Sequence, residues 1–319
     1  MNLTKTPQLL SVVAITLLAT TACNSTTSNN DMEIDSLATP KIAVLYVPDS
    51  IDIQGHRGMR GLYPENTIAG FIKVLQLGVN TLEMDVVTSH DNKLVVSHEA
   101  YMRAEICSIN GAIAIDTLNE KQHNIYQLNY DSIAQYDCGS KSVARFPQQQ
   151  KVEEHKPLLR AVLIAVVEYC TKNNTPIPNF NIEIKTDVAN DGVLHPNPAL
   201  VAQLLYDELH KLHLLNTVTI QSFDVRALQA MKRIDSRVTI SLLVENKLSL
   251  EENLAALKFM PQVYSCDYEL VTPQLVANAH ARHLKVIPWT VNDSANAAQL
   301  LSFGVDGIIT DYPNVIRHK

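Results

Sequence analysis

Three acidic residues are spaced as the ligands of a metal ion would be. Glu83 and Asp85 flank Met84 in an apolar run, and the period of two in a β-strand places both carboxylates on one face. Glu183 precedes Ile184 in a second run of this kind. Three carboxylates at one site repel one another strongly unless a cation lies between them. Carboxylate oxygens suit Mg²⁺ or Ca²⁺ rather than zinc, so the pattern predicts one divalent cation of that class.

Basic residues are expected beside these carboxylates. His56 and Arg57 directly follow another apolar run, and Lys185 lies on the same face of its strand as Glu183. The imidazole supplies an acid or a base, whereas Arg57 and Lys185 supply positive charge that binds an anion. Together with a divalent cation, these groups are typical of phosphoryl chemistry.

A second imidazole, that of His98, is brought to the site by an expected β-hairpin. Two apolar runs are separated only by residues 88–93, which is too short for the crossover between parallel strands. If Asp91 and Asn92 form a two-residue turn, His98 lies directly opposite Asp85, with Cβ atoms about 4.5–5.5 Å apart. The predicted site therefore has an imidazole on either side of a bound anion.

The elements that position these residues are short strands alternating with helices. Candidate strands lie at 51–55, 80–87, 94–98, 180–186, 218–223, 238–244, 263–267, 285–290 and 305–310, and candidate helices lie at 65–77, 197–213, 224–233, 249–258, 273–282 and 293–302. With 94–98 set aside as an antiparallel return strand, eight parallel strands remain. This pattern predicts an α/β fold, a TIM (β/α)8 barrel whose strands end at one mouth. Residues 99–156 break the alternation and are interpreted as an insertion on the loop face of the barrel.

The barrel is assigned to residues 49–319. The segment before it is interpreted as an export signal followed by a tether. An apolar run at 9–19 follows a basic residue and is too short to span a bilayer, which indicates a signal peptide over residues 1–22. Cys23 follows small residues, as in the lipobox of bacterial lipoproteins, and is predicted to be lipidated, with 23–48 as a flexible tether. These features predict export and anchoring to a bacterial membrane, facing the periplasm or the cell surface. An ordinary secretory signal is the alternative.

The composition excludes several classes of protein. The 319 residues are 46% hydrophobic with a formal net charge of -7, which argues against disorder and against the broad basic surface of a nucleic-acid-binding protein. Five cysteines without a CxxC pair leave no zinc-ribbon or thioredoxin-like motif. Export to an oxidising compartment would allow disulfides. The cysteines available for them are Cys107, Cys138, Cys170 and Cys266, and the first two form the favoured pair because both lie in one irregular segment.

The same residues belong to a series of motifs that resembles the glycerophosphodiester phosphodiesterase family. In chain order, the motifs are His56-Arg57-Gly58, Pro64-Glu65-Asn66-Thr67, Glu83-Met84-Asp85-Val86, Val95-Val96-Ser97-His98, Glu183-Ile184-Lys185, Trp289-Thr290-Val291-Asn292 and Asp306-Gly307-Ile308-Ile309-Thr310-Asp311-Tyr312-Pro313. The resemblance extends from about residue 51 to residue 313, and its specificity comes from the order of all the motifs. It implies a distorted TIM barrel that hydrolyses glycerophosphodiesters to sn-glycerol 3-phosphate and an alcohol, using Ca²⁺ or Mg²⁺.

The resemblance also implies a role for each matching residue. Glu83, Asp85 and Glu183 match metal ligands, His56 and His98 match the acid–base pair, and Arg57 and Lys185 match phosphate contacts. In the implied mechanism, a glycerol hydroxyl of the substrate attacks phosphorus while one histidine takes its proton and the other protonates the leaving alcohol. Water then opens the cyclic phosphate with the roles reversed. Trp289 is expected either to stack on glycerol or to pack, and Glu99, which stands where the family commonly has Asp, is left out of the catalytic set.

Two other functions are compatible with these features. A membrane tether brings intact phospholipids within reach, so one alternative is a barrel phosphodiesterase that acts on whole lipids. The other is a non-catalytic surface binding lipoprotein, which predicts the loss of a metal carboxylate or a histidine, whereas this sequence keeps them all. Release of glycerol 3-phosphate from soluble glycerophosphocholine distinguishes hydrolysis of glycerophosphodiesters from action on whole lipids.

Overall fold

The computed structural model describes residues 44–318. Its strands are β1 Leu45–Val47, β2 Asp52–Gly55, β3 Thr81–Thr88, β4 Leu94–Val96, β5 Ser108–Ile109, β6 Ile113–Ala114, β7 Tyr136–Asp137, β8 Asn179–Ile184, β9 Val218–Ser222, β10 Thr239–Val244, β11 Val263–Cys266, β12 Lys285–Val286, β13 Gly307–Thr310 and β14 Ile316–His318. Its α-helices are α1 Ile68–Leu75, α2 Tyr130–Ile133, α3 Leu159–Asn173, α4 Pro198–Lys211, α5 Val225–Ile234, α6 Leu250–Leu257, α7 Pro273–His280 and α8 Ser294–Ser302. Within residues 44–318, no helix is long and apolar enough to cross a membrane.

Eight parallel strands form the predicted barrel. They follow one another in the order β12, β11, β10, β9, β8, β3, β2 and β13. Backbone hydrogen bonds join the two ends of this series, from Asp306 N to Val286 O at 2.9 Å and from Ile309 N to Pro288 O at 3.0 Å. Because the strands are parallel and joined through helices, their carboxyl ends meet at one mouth. Strand β4 is antiparallel to β3, as the short connection between them predicts.

The helices lie where the alternation predicts them, with two additions, the short α2 of the 99–156 segment and α3. Helix α1 begins after Thr67, whose side chain accepts a hydrogen bond from Gly70 N, as expected of an N-cap. Helix α3 was not among the predicted helices. Its buried residues Leu159, Val162 and Val166 recur at helical spacing, so the sequence does contain the signal for this helix.

The predicted register of the β3–β4 hairpin is wrong by one residue. Ser97, rather than His98, lies opposite Asp85 and donates its N–H to the Asp85 carbonyl at 3.0 Å. The loop has three residues instead of two, and Asn92 closes it with a left-handed φ of 57°. Since the last paired residue of β4 is Val96, His98 lies beyond the ladder, and strand alternation does not set its direction.

Residues 99–156 form a small unit beside the β3–β4 hairpin. Strands β5, β6 and β7 make a three-stranded antiparallel sheet. A buried apolar cluster joins this unit to Val87 and Val95 of the hairpin. The Cys107–Cys138 disulfide lies within it, which confirms the favoured pairing.

Removal of this disulfide is expected to destabilise the protein, because the cross-link closes a long loop in the unfolded chain. For a sequence separation of 31 residues, the chain-entropy relation gives about 3–4 kcal/mol. Urea unfolding of the Cys107→Ser/Cys138→Ser variant should therefore show a lower midpoint than the wild type. Reductant should lower the wild-type midpoint and leave that of the variant unchanged. Equal midpoints for the two proteins under oxidising conditions would contradict the prediction.

The predicted signal peptide, the lipidation site Cys23 and most of the predicted tether lie outside the described residues. The C-terminal end of that tether, in contrast, is described and is folded: Leu45–Val47 forms β1, which pairs in parallel with β14. Backbone pairing with the last strand holds these residues, so the tether assigned to 23–48 extends too far at its C-terminal end.

Candidate active site

The carboxyl ends of the barrel strands surround a cavity of about 210 Å³. It is lined by His56, Arg57, Arg60, Glu83, His98, Arg145, Glu183, Gln221, Phe223, Leu243, Trp289, Thr290 and Ile309. The cavity thus has a charged wall and an apolar wall. Two of the predicted site residues, Asp85 and Lys185, are not among the lining residues but contact two that are, Arg57 and Glu183.

The three predicted metal ligands lie together in the structure. Glu83, Asp85 and Glu183 are buried, and one carboxylate oxygen from each lies within 4.8 Å of the other two. This follows from the strand register, because Asp85 and Glu183 are paired positions on β3 and β8. The alternation along β3 then brings Glu83 to the same face.

The pKa values of these carboxyl groups reflect burial and mutual repulsion. Burial, followed by the charge of Asp85, raises the pKa of Glu83 well above its usual range. Burial also raises the pKa of Glu183. For Asp85, burial acts in the same direction, but the opposing contributions, of which the positive charge of Arg57 is the largest, outweigh it and lower the pKa. A cation among the three groups would relieve this repulsion.

The donor set suits a hard divalent cation. Among the described residues, Asp85 Oδ1 is buried without a hydrogen-bond partner, and a buried polar atom of this kind normally has one. Two other oxygens of the site are held by the loop that precedes α1. Arg57 N donates to Glu83 Oε2 at 2.8 Å. Asn66 Nδ2 donates to Asp85 Oδ2 at 2.8 Å. The three carboxylates therefore fit the oxygen ligands of Mg²⁺ or Ca²⁺.

His56 is held by a buried carboxylate that directly follows the last barrel strand, β13. Its Nδ1 donates to Asp311 Oδ1 at 2.7 Å, while its Nε2 lies 4.0 Å from Glu83 Oε2. Burial and the nearby charge of Arg60 lower the pKa of His56 to about 4. The imidazole is therefore neutral near pH 7, with Nδ1 protonated and Nε2 available to accept a proton.

His98 has a separate carboxylate partner. Its Nδ1 lies 2.9 Å from Glu99 Oε1, and its side chain is 28% exposed beside the cavity. The hydrogen bond with His98 lowers the pKa of Glu99. Glu99 was left out of the predicted catalytic set because of its length, yet it reaches the imidazole. His98 thus lines the same cavity as His56, although the predicted pairing with Asp85 does not occur.

The predicted phosphate-binding residues are engaged with carboxylates. Arg57 binds Glu65 at 3.1 Å and Asp85 at 3.3 Å. Lys185 Nζ donates to Glu183 Oε1 at 2.8 Å. Both basic groups are therefore fixed beside the three clustered carboxylates.

Trp289 both packs and lines the cavity. Its Nε1 donates to Ser265 O at 3.0 Å, and its ring meets Phe223 edge to face with centroids 5.5 Å apart. The indole N–H is thus used within the protein, while the residue also lines the cavity. The two alternatives given by the sequence are compatible in the structure.

Several supporting residues were not assigned from the sequence. Asp311 binds His56 and also accepts from Arg60 Nε at 2.7 Å and from Asn292 Nδ2 at 2.8 Å. Asn66, which was given no role of its own within the Pro64-Glu65-Asn66-Thr67 motif, holds Asp85. Their positions at strand ends or inside the recognised motifs were the available signals.

A series of buried amides runs from the floor of the barrel to Glu83. Gln221 Nε2 donates to Glu83 Oε1 at 2.9 Å. Asn181 Nδ2 donates to Gln221 Oε1 at 3.0 Å and to Gln54 Oε1 at 2.7 Å. Because Asn181 presents a donor to the oxygen of Gln221, the amide nitrogen of Gln221 faces Glu83. Asn181 therefore determines which end of the Gln221 amide faces Glu83, although Asn181 forms no hydrogen bond with Glu83 itself.

The variant Asn181→Asp is expected to weaken divalent-cation binding about tenfold, the scale of one charge-assisted hydrogen bond. Aspartate accepts from the Gln221 amide and turns the oxygen of Gln221 toward Glu83. The added negative charge alone would have the opposite effect and tighten binding. Calorimetric titration with Ca²⁺ measures the sign, and Asn179→Asp, an exposed position on the same strand, is the charge control. Tighter binding in Asn181→Asp would contradict the prediction.

Comparisons with known proteins give a consistent result. The model of the glycerophosphoryl diester phosphodiesterase family matches residues 56–315. A glycerophosphodiester phosphodiesterase of Caldanaerobacter subterraneus is 27% identical over 263 residues, which cover 82% of this chain and 94% of the relative.

Two solved structures of phosphodiesterases are also similar to the chain. The crystal structure of a putative glycerophosphoryl diester phosphodiesterase from Silicibacter pomeroyi is similar to the chain with a TM-score of 0.74 and 28% identity, covering 84% of this chain and 92% of that one. A phosphodiesterase of Oleispira antarctica, solved in complex with the product sn-glycerol-3-phosphate, shares the fold with a TM-score of 0.65 and 23% identity, covering 82% of this chain and 93% of that one.

Proposed function

The chain belongs to the glycerophosphoryl diester phosphodiesterase family, and from this premise we propose that it hydrolyses glycerophosphodiesters to sn-glycerol 3-phosphate and an alcohol, with a divalent cation and two histidines. One observation carries the proposal: a single cavity is lined by two imidazoles and two of three clustered carboxylates. The family membership and the intact set of these residues argue against a non-catalytic binding lipoprotein.

Glu83, Asp85 and Glu183 would hold the cation, which we propose to be Ca²⁺ or Mg²⁺. When bound, a divalent ion supplies positive charge that stabilises the phosphoryl oxygens and makes a nearby hydroxyl more acidic. The chain's own residues prepare this site. Arg57 N and Asn66 orient two of the carboxylates, and Lys185 holds the third.

The two histidines would move the protons. His56 is neutral, and Asp311 fixes its tautomer so that Nε2 is the reactive nitrogen. Glu99 contacts Nδ1 of His98 in the same way and leaves its Nε2 for proton transfer. One imidazole removes the proton from the attacking oxygen, and the other protonates the oxygen of the leaving alcohol. Arg57 and Lys185 provide the positive charge beside the phosphate.

The test is a chelation experiment with the full chain. The protein is treated with chelator, Ca²⁺ or Mg²⁺ is added back, and sn-glycerol 3-phosphate is measured from soluble diesters with several head groups. Loss and restoration of product support the proposal. Full activity after chelation would overturn the metal dependence. Activity on phospholipid vesicles without activity on the soluble diesters would favour an enzyme of intact lipids.

We further propose that the protein is exported and anchored to a bacterial membrane through a lipid on Cys23. The apolar run at 9–19 and the residues before Cys23 support this proposal. The Cys107–Cys138 disulfide supports export independently, because such bonds persist in oxidising compartments. Cys23→Ala should release the protein from the membrane fraction and abolish labelling with a radioactive fatty acid. Retention of both would contradict lipidation at this residue.

A further inference from the structure

One residue of the 99–156 segment reaches the catalytic cavity. Arg145 lies among the cavity-lining residues, although the other lining residues belong to the barrel strands and their connections. Its side chain is exposed to solvent. This position at the rim suits a group that meets the outer part of a substrate.

The backbone around Arg145 is fastened to the barrel. Gln149 Nε2 donates to Arg60 O at 2.6 Å and to Tyr63 O at 3.1 Å. The neighbouring Phe146 is buried and packs edge to face on Tyr312, with centroids 6.4 Å apart. Arg145 is therefore presented to the cavity by a segment whose neighbours on the C-terminal side are anchored.

Arg145 differs from the other arginines of the cavity because no carboxylate of residues 44–318 is paired with it. Arg57 is paired with Glu65 and Asp85, and Arg60 is paired with Asp311. Within residues 44–318, no carboxylate lies within ion-pair distance of Arg145. Its guanidinium instead lies 5.4 Å from the ring of Phe146. This positive charge is available to a ligand.

The aromatic wall of the cavity is also close to a positive charge. Lys185 Nζ lies 5.9 Å from the ring of Phe223, the residue that packs against Trp289. A quaternary ammonium head group would compete with this amine for the ring and would be repelled by Arg145. The surroundings of the cavity are therefore unfavourable for a cationic alcohol and favourable for an anionic one.

Resting on the proposed function, we propose that Arg145 is a specificity-determining residue that favours glycerophosphodiesters whose leaving alcohol carries a further anionic group, such as a phosphate. The cation and the paired basic residues neutralise the diester phosphate. Arg145 neutralises the second anion by a charge-assisted hydrogen bond at the rim. The Arg145 side chain thus discriminates among head groups without taking part in the chemistry.

The experiment compares two diesters with the same alcohol, glycerophosphoglycerol and its terminal phosphate monoester, together with glycerophosphocholine. For Arg145→Ala, kcat/KM for the phosphorylated diester is expected to fall about tenfold, while that for glycerophosphoglycerol changes less than about threefold. Arg145→Glu should raise turnover of glycerophosphocholine relative to the phosphorylated diester. Lys151→Ala removes the same charge from an exposed position outside the cavity and is the matched control.

Equal losses for both glycerol diesters in Arg145→Ala would overturn the proposal, because they would show that Arg145 binds the diester phosphate itself. An unchanged ratio in Arg145→Glu would overturn it as well. Failure of the proposed function is distinguishable from both results. It would abolish turnover of glycerophosphoglycerol by the wild-type enzyme, whereas failure of the present inference leaves that turnover intact.

Discussion

Replacement of Asp85 with Asn is expected to abolish hydrolysis and to remove high-affinity binding of divalent cations. The substitution keeps the shape of the side chain and its contact with Asn66. It removes the charge from the only one of the three clustered carboxylates whose pKa is lowered by its surroundings. A metal ion contributes several kcal/mol to the stabilisation of a phosphoryl transition state. At about 1.4 kcal/mol for each factor of ten, this corresponds to a loss of more than about 1,000-fold in kcat/KM.

Two measurements test this prediction. Release of sn-glycerol 3-phosphate gives the loss of activity, and calorimetric titration with Ca²⁺ and Mg²⁺ gives the loss of affinity. Asp131→Asn, an exposed position of the 99–156 segment, is the control for loss of a carboxylate. Near-UV circular dichroism shows whether the variant is folded. Wild-type affinity in a folded Asp85→Asn protein would remove this carboxylate from the cation site.

Replacement of His98 with Ala is expected to have the second-largest effect and to separate proton transfer from metal binding. His98 contacts Glu99 and lines the cavity. The proposed cation site consists of three carboxylates and does not include His98. Loss of a general acid or base typically costs at least about 100-fold in rate. The turnover number should therefore fall by that amount while the affinity for Ca²⁺ changes little.

Chemical rescue makes this prediction specific to the imidazole. His98 is 28% exposed, so imidazole added to the buffer has access to the space that the substitution opens and should restore part of the activity of His98→Ala. The same addition should leave Asp85→Asn inactive. Normal turnover by His98→Ala, or a large loss of metal affinity, would exclude the role proposed for this residue.

The barrel and the carboxylate cluster are predictable from the sequence because both depend on local periodicity. Alternating strands and helices indicated the parallel strands of the barrel and their shared mouth. The period of two placed Glu83 and Asp85 on one face, and in-register pairing of neighbouring parallel strands then brought Glu183 beside them. No long-range information was needed beyond the assumption of a closed barrel.

The position of His98 shows where this reasoning fails. The predicted two-residue turn put His98 opposite Asp85, but the loop has three residues because Asn92 adopts a left-handed conformation. Ser97 takes the predicted place of His98. The imidazole reaches the cavity from the chain beyond β4, together with Glu99, and the pattern of the strand contains no information about that direction.

For this protein, the sequence by itself determined the fold class, the residues that carry the proposed chemistry and the favoured disulfide pair. Only the tertiary structure decided how the supporting residues meet them. Asp311 lies 255 positions from His56 and contacts it because β13 pairs with β2. Arg145 reaches the cavity because side chains of its own segment anchor it to the barrel. Local patterns fix the direction of a side chain within one element, whereas contacts between distant elements depend on barrel closure and loop packing, which no local period encodes.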